Sequence, residues 1–334
     1  MLGETNQRCG TSVLDLIGNT PLLELNINYE NEDWHFFAKA EFTNPSGSIK
    51  DRIAKYVIEL AEKRGELSKD SIVVEATSGN TGISFAMVCA FKGYRCIIVM
   101  PENMSIERQK IISMFGAELC LSPMAEFYQG AVKRTKQIAM NNPNVFLPRQ
   151  FENPDDVGCH YQTTGVEILA QMDRQKIDAF VAGVGTGATL MGVMKRIKEN
   201  FPDCLSIAVE PKESAVLNGC KHHQPHQITG IGPGFIPKLV DINKIDWCES
   251  IASDDAITMT HYLWHKYGMM VGVSSGANIL ATINVLKKIG KEKTVVTVLP
   301  DRAERYFSTN LYQMGENNLI RNCNQNCENR FCQC

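Results

Sequence analysis

The sequence predicts an α/β protein with mostly parallel sheets, helices on both faces, and two doubly wound domains. Three observations carry this expectation. Short β-branched runs alternate along the chain with longer amphipathic segments, which is the rhythm of βαβ units. Glycine-rich turns stand where such a run gives way to a helical pattern, the place where open α/β sheets gather ligands. A chain of 334 residues that is 44% hydrophobic also buries a substantial core and is long for a single domain.

Taken in order, the strand-like runs are "SIVVEA" (71–76), "RCIIVM" (95–100), "AELCLS" (117–122), "DAFVAGV" (178–184), "LSIAVE" (205–210) and "KTVVTVL" (293–299). Helical patterns fall between most of them: "NTGISFAMVCAFKG", "SIERQKIISMFG", "QGAVKRTKQIAMNN", "TLMGVMKRIKEN", "DAITMTHYLWHKYG" and "ANILATINVLKKIG". The proline- and asparagine-rich stretch 141–156 is the candidate crossing between domains. Residues 212–245, which contain "TGIGPGFIP", show little periodicity over a length that marks a functional loop.

The formal net charge of −3 gives no footing for a nucleic acid, so small molecules are the expected ligands. No run approaches the roughly 20 apolar residues of a membrane span, and the start "MLGETNQRCGTSV" lacks a signal peptide's basic and apolar blocks. A cytoplasmic protein is expected. Of twelve cysteines, eight are scattered through the body, several in apolar runs where a reduced thiol acts as a small hydrophobe. The other four crowd the tail "RNCNQNCENRFCQC", whose spacing matches no familiar zinc pattern; a disordered tail with reduced thiols is expected over residues 314–334, with a metal or disulfide as the alternative. His222, His223 and His226 in "CKHHQPHQ" read as a solvated loop, and no metal is expected.

Three loops join a strand-like run to a helical one: "TSGNTG" (77–82), "GVGTGATL" (183–190) and "VGVSSGAN" (271–278). Each can present backbone N–H groups and a positive helix end to an anion. Neither the G-x-G-x-x-G fingerprint nor the Gly-Lys-Ser/Thr of a P-loop is present, which disfavours dinucleotides and nucleoside triphosphates. A fourth segment, "NPSGSIKDR" (44–52), places Lys50 after small, turn-forming residues. Alone, Lys50 reads as a surface lysine at the start of a helix. Together with an anion-binding loop and two hydroxyl-rich loops, it supplies the amine, phosphate cradle and ring-nitrogen partner that pyridoxal phosphate requires.

Over nearly the whole body, from "LDLIGNTPLLEL" to "PDRAERYFST", the sequence resembles the fold type II pyridoxal phosphate enzymes of the cysteine synthase (O-acetylserine sulfhydrylase) and cystathionine β-synthase family. Matching motifs include "EATSGNTG", "MPENMSIERQKIISMFGAEL", "TTGVEI", "GVGTGATLMGV", "EPKESAVL" and "GIGPGFIP". The expected division is a smaller domain over 44–150 and a larger one over 12–43 plus 151–313, with the cofactor in the cleft between them. The resemblance implies that Lys50 holds the cofactor as an imine and shuttles the α-proton. It implies that Thr77, Ser78, Gly79 and Thr81, with Gln150 and Gly230, bind the substrate, and that Asn80 bonds the cofactor's phenolic oxygen. Gly185, Thr186, Gly187, Ala188 and Thr189 match the phosphate loop, although alanine stands at 188 where glycine is common; its methyl group is tolerable if φ there is negative. Ser274 matches the hydroxyl facing the pyridine nitrogen, a neutral partner that favours β-elimination over transamination.

The implied reaction is β-replacement: O-acetyl-L-serine loses acetate to give an aminoacrylate, and sulfide adds to form L-cysteine with ping-pong kinetics. Within the family, "GSIKDRIA" and "HYQTTGVEI" fit the cystathionine β-synthase branch, in which homocysteine replaces sulfide. "ESAVLNG" and "ITGIGPGFIP" fit cysteine synthase. A sulfide-releasing cysteine lyase, an amine-accepting enzyme and a catalytically inactive binding module are the other readings. The resemblance also implies a homodimer and, as a partner, the C-terminal peptide of serine acetyltransferase.

Overall fold

The computed structural model describes residues 12–77, 79–220 and 224–312, except for the side chains of Phe127 and Tyr128. Ser78, His222, His223, Cys9 and the tail 314–334 lie outside the described residues. Ten strands form two sheets among the described residues. The first is four-stranded, parallel and ordered β5-β4-β3-β6, from β3 (Ile72–Ala76), β4 (Arg95–Pro101), β5 (Glu118–Ser122) and β6 (Val145–Phe146). The second is six-stranded, ordered β1-β2-β10-β7-β8-β9, from β1 (Leu22–Tyr29), β2 (Glu32–Lys39), β7 (Ala179–Gly183), β8 (Leu205–Pro211), β9 (Trp247–Ile251) and β10 (Val295–Val298). Among the paired strands of the described residues, only β1 and β2 are antiparallel.

Each sheet is apolar on both faces, as parallel strands between helices must be. In the small sheet, Val73 and Ile98 face a core shared with α1 (Lys50–Arg64) and α2 (Asn80–Lys92), while Val74 and Val99 pack on the opposite side with Ala131 of α4 (Phe127–Met140). α3 (Ile106–Met114) adds Ile112 to the first core. In the large sheet, Val181 and Ile207 meet α8 (Ser253–Tyr267) and α9 (Val273–Ile289). Phe180 and Ala208 meet α6 (Thr164–Gln171) and α7 (Ala188–Ile197), and α5 (Pro154–Gln162) lies against α7. The six strand-like runs read from the sequence are β3, β4, β5, β7, β8 and β10, and the six helical patterns are α2, α3, α4, α7, α8 and α9. Residues 212–245 carry only two short 3-10 turns among the described residues. β7 and β10 are parallel neighbours, so the loops that follow them leave one end of the large sheet.

Candidate active site

The turn before α1 is built to present Lys50. Gly47 sits at φ +87°, and a Cβ there would come within 2.5 Å of Arg302 Nε and Arg305 Nη2, so glycine is needed on both counts. The segment after β10 clamps this turn: Ile49 N donates to Pro300 O (2.9 Å), Arg302 N to Gly47 O (3.1 Å) and Arg305 Nη2 to Ser46 O (2.8 Å). The acid and base that follow Lys50 fix it from behind. Buried Asp51 accepts from Ser46 N (2.7 Å), Ser84 Oγ (2.6 Å) and Ser46 Oγ. Buried Arg52 forks onto Glu41 (2.7 Å) and Glu167 (2.6 and 2.8 Å), and Lys39 reaches Glu167 at 2.8 Å. Both cations hold the Glu167 carboxyl down at about 2 against the pull of its burial. Lys50 is the first residue of α1, and burial keeps its pKa below that of an ordinary lysine, opposed by Asp156, Asp301 and Glu41.

Across from it, "TSGNTG" leads from β3 into α2. Gly79 N donates to Thr77 Oγ1 (3.0 Å), and a Cβ on Gly79 would strike Arg108 Cδ and Nε. Thr81 Oγ1 donates to Gln150 Oε1 (2.6 Å), and Gln150 Nε2 donates to Ala76 O (2.8 Å), which joins two parts of the chain 69 residues apart. Asn80 is held at both ends of its amide: Nδ2 donates to Asp301 Oδ2 (2.7 Å), and Oδ1 accepts from Arg305 Nη1 (2.6 Å).

The third wall is the start of α7. A Cβ on Gly185 would collide with Gly230 O, and one on Gly187, at φ +88°, with Val240. Ala188 is the first helical residue, buried, and absent from the described non-glycine residues with positive φ, so its methyl group causes no strain. Thr189 Oγ1 lies 3.2 Å from His160 Nε2. Ser274, in the first turn of α9, is 3% exposed and faces the same space.

These loops line one cleft of about 140 Å³. Of the site residues expected from the sequence, Lys50, Thr77, Gly79, Asn80, Thr81, Gln150, Gly185, Thr186, Gly187, Thr189, Gly230 and Ser274 line it; Ala188 lies behind the wall, and Ser78 is outside the described residues. His226 is half-buried rather than solvated, and its Nε2 donates to Gly232 O at 2.8 Å within the loop bearing Gly230. Sequence reasoning gave no role to Asp301, Arg305 or Arg108. Asp301 accepts from both Asn80 and Tyr306 Oη (2.6 Å), and Arg108 lies 4.7 Å over the Tyr306 ring while lining the cleft. The signals were "PDRAERYFST", which holds Asp301 and Arg305 and departs from the ending of the commonest cysteine synthases, and "MPENMSIERQKIISMFGAEL", which holds Arg108.

The acidic or basic side chains lining the cleft, among the described residues, are the two bases Lys50 and Arg108. Two helix starts, at Asn80 and Ala188, add positive ends to it. An amine of lowered pKa beside two such anion stations, with a buried hydroxyl at Ser274, fits pyridoxal phosphate and an amino-acid carboxylate. The fold and cleft define an α/β enzyme of amino-acid chemistry that works through a lysine-held, phosphorylated cofactor. The chain belongs to the pyridoxal-phosphate dependent enzyme family, whose model matches residues 13–301. It is 43% identical over 305 residues to a cysteine synthase of Staphylococcus aureus strain Mu50, covering 91% of this chain and 98% of that protein. Among solved structures, it is similar to a hydrogen sulfide-producing enzyme from Fusobacterium nucleatum (44% identity, TM-score 0.86, 89% of this chain and 90% of that one). It is also similar to a cysteine synthase from Entamoeba histolytica (38% identity, TM-score 0.86, 94% of each chain).

Proposed function

We propose that this chain is a cysteine synthase: it replaces the acetoxy group of O-acetyl-L-serine with sulfide to form L-cysteine. The observation that carries this reading is Lys50, an amine of lowered pKa in one cleft with the α2 and α7 starts. Pyridoxal phosphate, when bound, supplies the electron sink for the substrate α-carbon. Lys50 would hold it, residues 185–189 its phosphate, Ser274 its ring nitrogen and Asn80 its phenolic oxygen. Thr77, Ser78, Gly79, Thr81, Gln150 and Gly230 orient the substrate, with the carboxylate at the start of α2. Released from the cofactor, Lys50 Nζ takes the α-proton and later returns it; the burial that lowers its pKa leaves more of the amine free to act as a base. The walls exclude water while acetate leaves and sulfide adds.

We also assign residues 44–150 and 12–43 plus 151–313 to two domains, the protein to a cytoplasmic homodimer, and the cationic cleft to the C-terminal carboxylate of a serine acetyltransferase peptide. No helix among the described residues is long and apolar enough to cross a membrane.

A second reading is favoured by the 44% identical Fusobacterium nucleatum structure, whose name is hydrogen sulfide-producing enzyme. Steady-state rates with O-acetyl-L-serine and sulfide, homocysteine or an amine, and sulfide release from L-cysteine alone, separate these readings. The largest kcat/KM is expected with sulfide as acceptor. A larger value with homocysteine, or faster sulfide release than synthesis, overturns the assignment.

A further inference from the structure

His160, on α5, has a fully buried imidazole held between two threonine hydroxyls. Nδ1 lies 2.9 Å from Thr164 Oγ1, at the start of α6, and Nε2 lies 3.2 Å from Thr189 Oγ1, in the first turn of α7. Gly192 permits this approach. A Cβ there would come within 2.8 Å of His160 Cβ and 3.0 Å of Tyr161 N, so a side chain would push α5 off α7.

Burial, with Lys50 and Arg52 adding to it, holds the His160 pKa well below the ordinary histidine value, so the ring is neutral at physiological pH. A neutral imidazole has one N–H and one lone pair, so it donates one of its two hydrogen bonds and accepts the other. With the hydrogen on Nδ1, Nε2 accepts the Thr189 O–H, and that hydroxyl turns only lone pairs toward the cleft. With the hydrogen on Nε2, Thr189 accepts from the ring and keeps its own hydrogen for a ligand, while Nδ1 accepts from Thr164. A phosphate group only accepts at these oxygens when fully ionised, so the first arrangement opposes it and the second serves it.

We infer that His160 is a positioning residue: Thr164 O–H donates to Nδ1, Nε2–H donates to Thr189 Oγ1, and the Thr189 hydroxyl hydrogen is thereby aimed at a phosphate seated at the start of α7. This rests on the reading of residues 185–189 as the phosphate cradle. Thr164, which touches neither cofactor nor substrate in this scheme, sets the direction of the chain.

Nitrogen NMR of histidine-labelled holoenzyme, with His160 among seven histidines identified by its loss in His160→Gln, reads the tautomer directly. The Nε2–H form is expected; the Nδ1–H form overturns the inference. The dissociation constant for pyridoxal phosphate should stay near the parent value in His160→Gln, whose amide can replace the Nε2–H donor, and rise about tenfold or more in His160→Leu. Equal weakening in both, with apoprotein melting unchanged, overturns it too. Should the histidine variants misfold, Thr164→Val tests the same chain: mixed tautomers and weaker cofactor binding are expected, and an unchanged tautomer with unchanged affinity rejects it. Thr189→Val separates the two readings. Parental cofactor affinity in that variant removes the cradle role of Thr189 and the inference with it, whereas weakened affinity in the variant alongside an Nδ1–H ring in the parent enzyme removes the inference alone.

Discussion

The two helix starts facing the cleft are held in different ways. At α7 close packing shapes the loop: Gly185 lies against the Gly230 carbonyl and Gly187 against the Val240 side chain, with no side chain of their own to rearrange, and Thr189 is tied to His160 behind them. At α2 the shape is set by a polar latch in which Asn80 is tied to Asp301 and Arg305, and Thr81 to Gln150. The first is a preformed cradle, suited to a cofactor that stays. The second has hydrogen bonds to exchange, suited to a substrate carboxylate that comes and goes; Thr81 must release Gln150 before its hydroxyl can donate to a carboxylate.

Lys50→Ala breaks the chemistry while sparing both stations. Turnover is expected to fall by about 10³ or more, consistent with the loss of a general base that also holds the cofactor. The apoprotein should melt close to the parent, because Asp51 and Arg52 rather than Lys50 anchor the turn. Borohydride reduction of the parent followed by peptide mapping should place the label on Lys50. A label on another lysine ends the assignment, and a variant that can no longer bind pyridoxal phosphate at all would show that the α7 cradle is not preformed.

A matched pair sharpens the contrast. In Gly185→Ala the new methyl meets a backbone carbonyl of the α7 cradle, which cannot swing away, whereas in Gly79→Ala it meets the buried side chain of Arg108, whose shift disturbs its contacts with Ser105 and Tyr306 but not the α7 cradle. Overpacking typically costs about 1–3 kcal/mol. Gly185→Ala should therefore weaken cofactor binding by about tenfold or more, and Gly79→Ala should instead raise KM for the amino acid by a smaller factor at near-parental cofactor affinity. Equal effects on the cofactor would erase the distinction drawn between the two ends.

How far the sequence revealed this arrangement depended on how local each feature is. β7 and β8 were legible because their β-branched runs are bounded by glycine or proline and buried on both faces. The β1–β2 hairpin was not. Its strands alternate buried and exposed residues with charges among them, and its two-residue turn is Glu30-Asn31, both at positive φ, without the glycine that signals such a turn. At the site, glycines and hydroxyls within a single loop could be read from spacing. The partners that lock Asn80 could not, since Asp301 and Arg305 lie 221 and 225 residues further along the chain. The role of His160 was hidden too: it stands with Thr164 in "HYQTTGVEI", but Thr189, the threonine that ties it to the cleft, lies 29 residues away.

The subtlest test concerns what stands behind the α2 station. Glu75, near the end of β3, is 3% exposed; its Oε1 accepts from Ala76 N at 3.1 Å, and the backbone N–H groups of Arg149 and Gln150 also face its carboxyl. Burial, with Asp156 adding to it, pushes its pKa up to about 8. Because the folded-state value is raised above the ordinary carboxylate value, Glu75's favourable contribution to stability is fully present below that ordinary value. It is lost as pH rises through about 8 and changes little beyond. Glu75→Gln, which mimics the protonated acid, should melt like the parent near pH 5 and above it at pH 8–9, by an amount on the order of a few kcal/mol. A gap that does not grow with pH would mean that Glu75 is ionised in the folded protein. The wall behind the carboxylate station would then carry a negative charge opposing the substrate's own, and the attraction assigned to the start of α2 would have to overcome it.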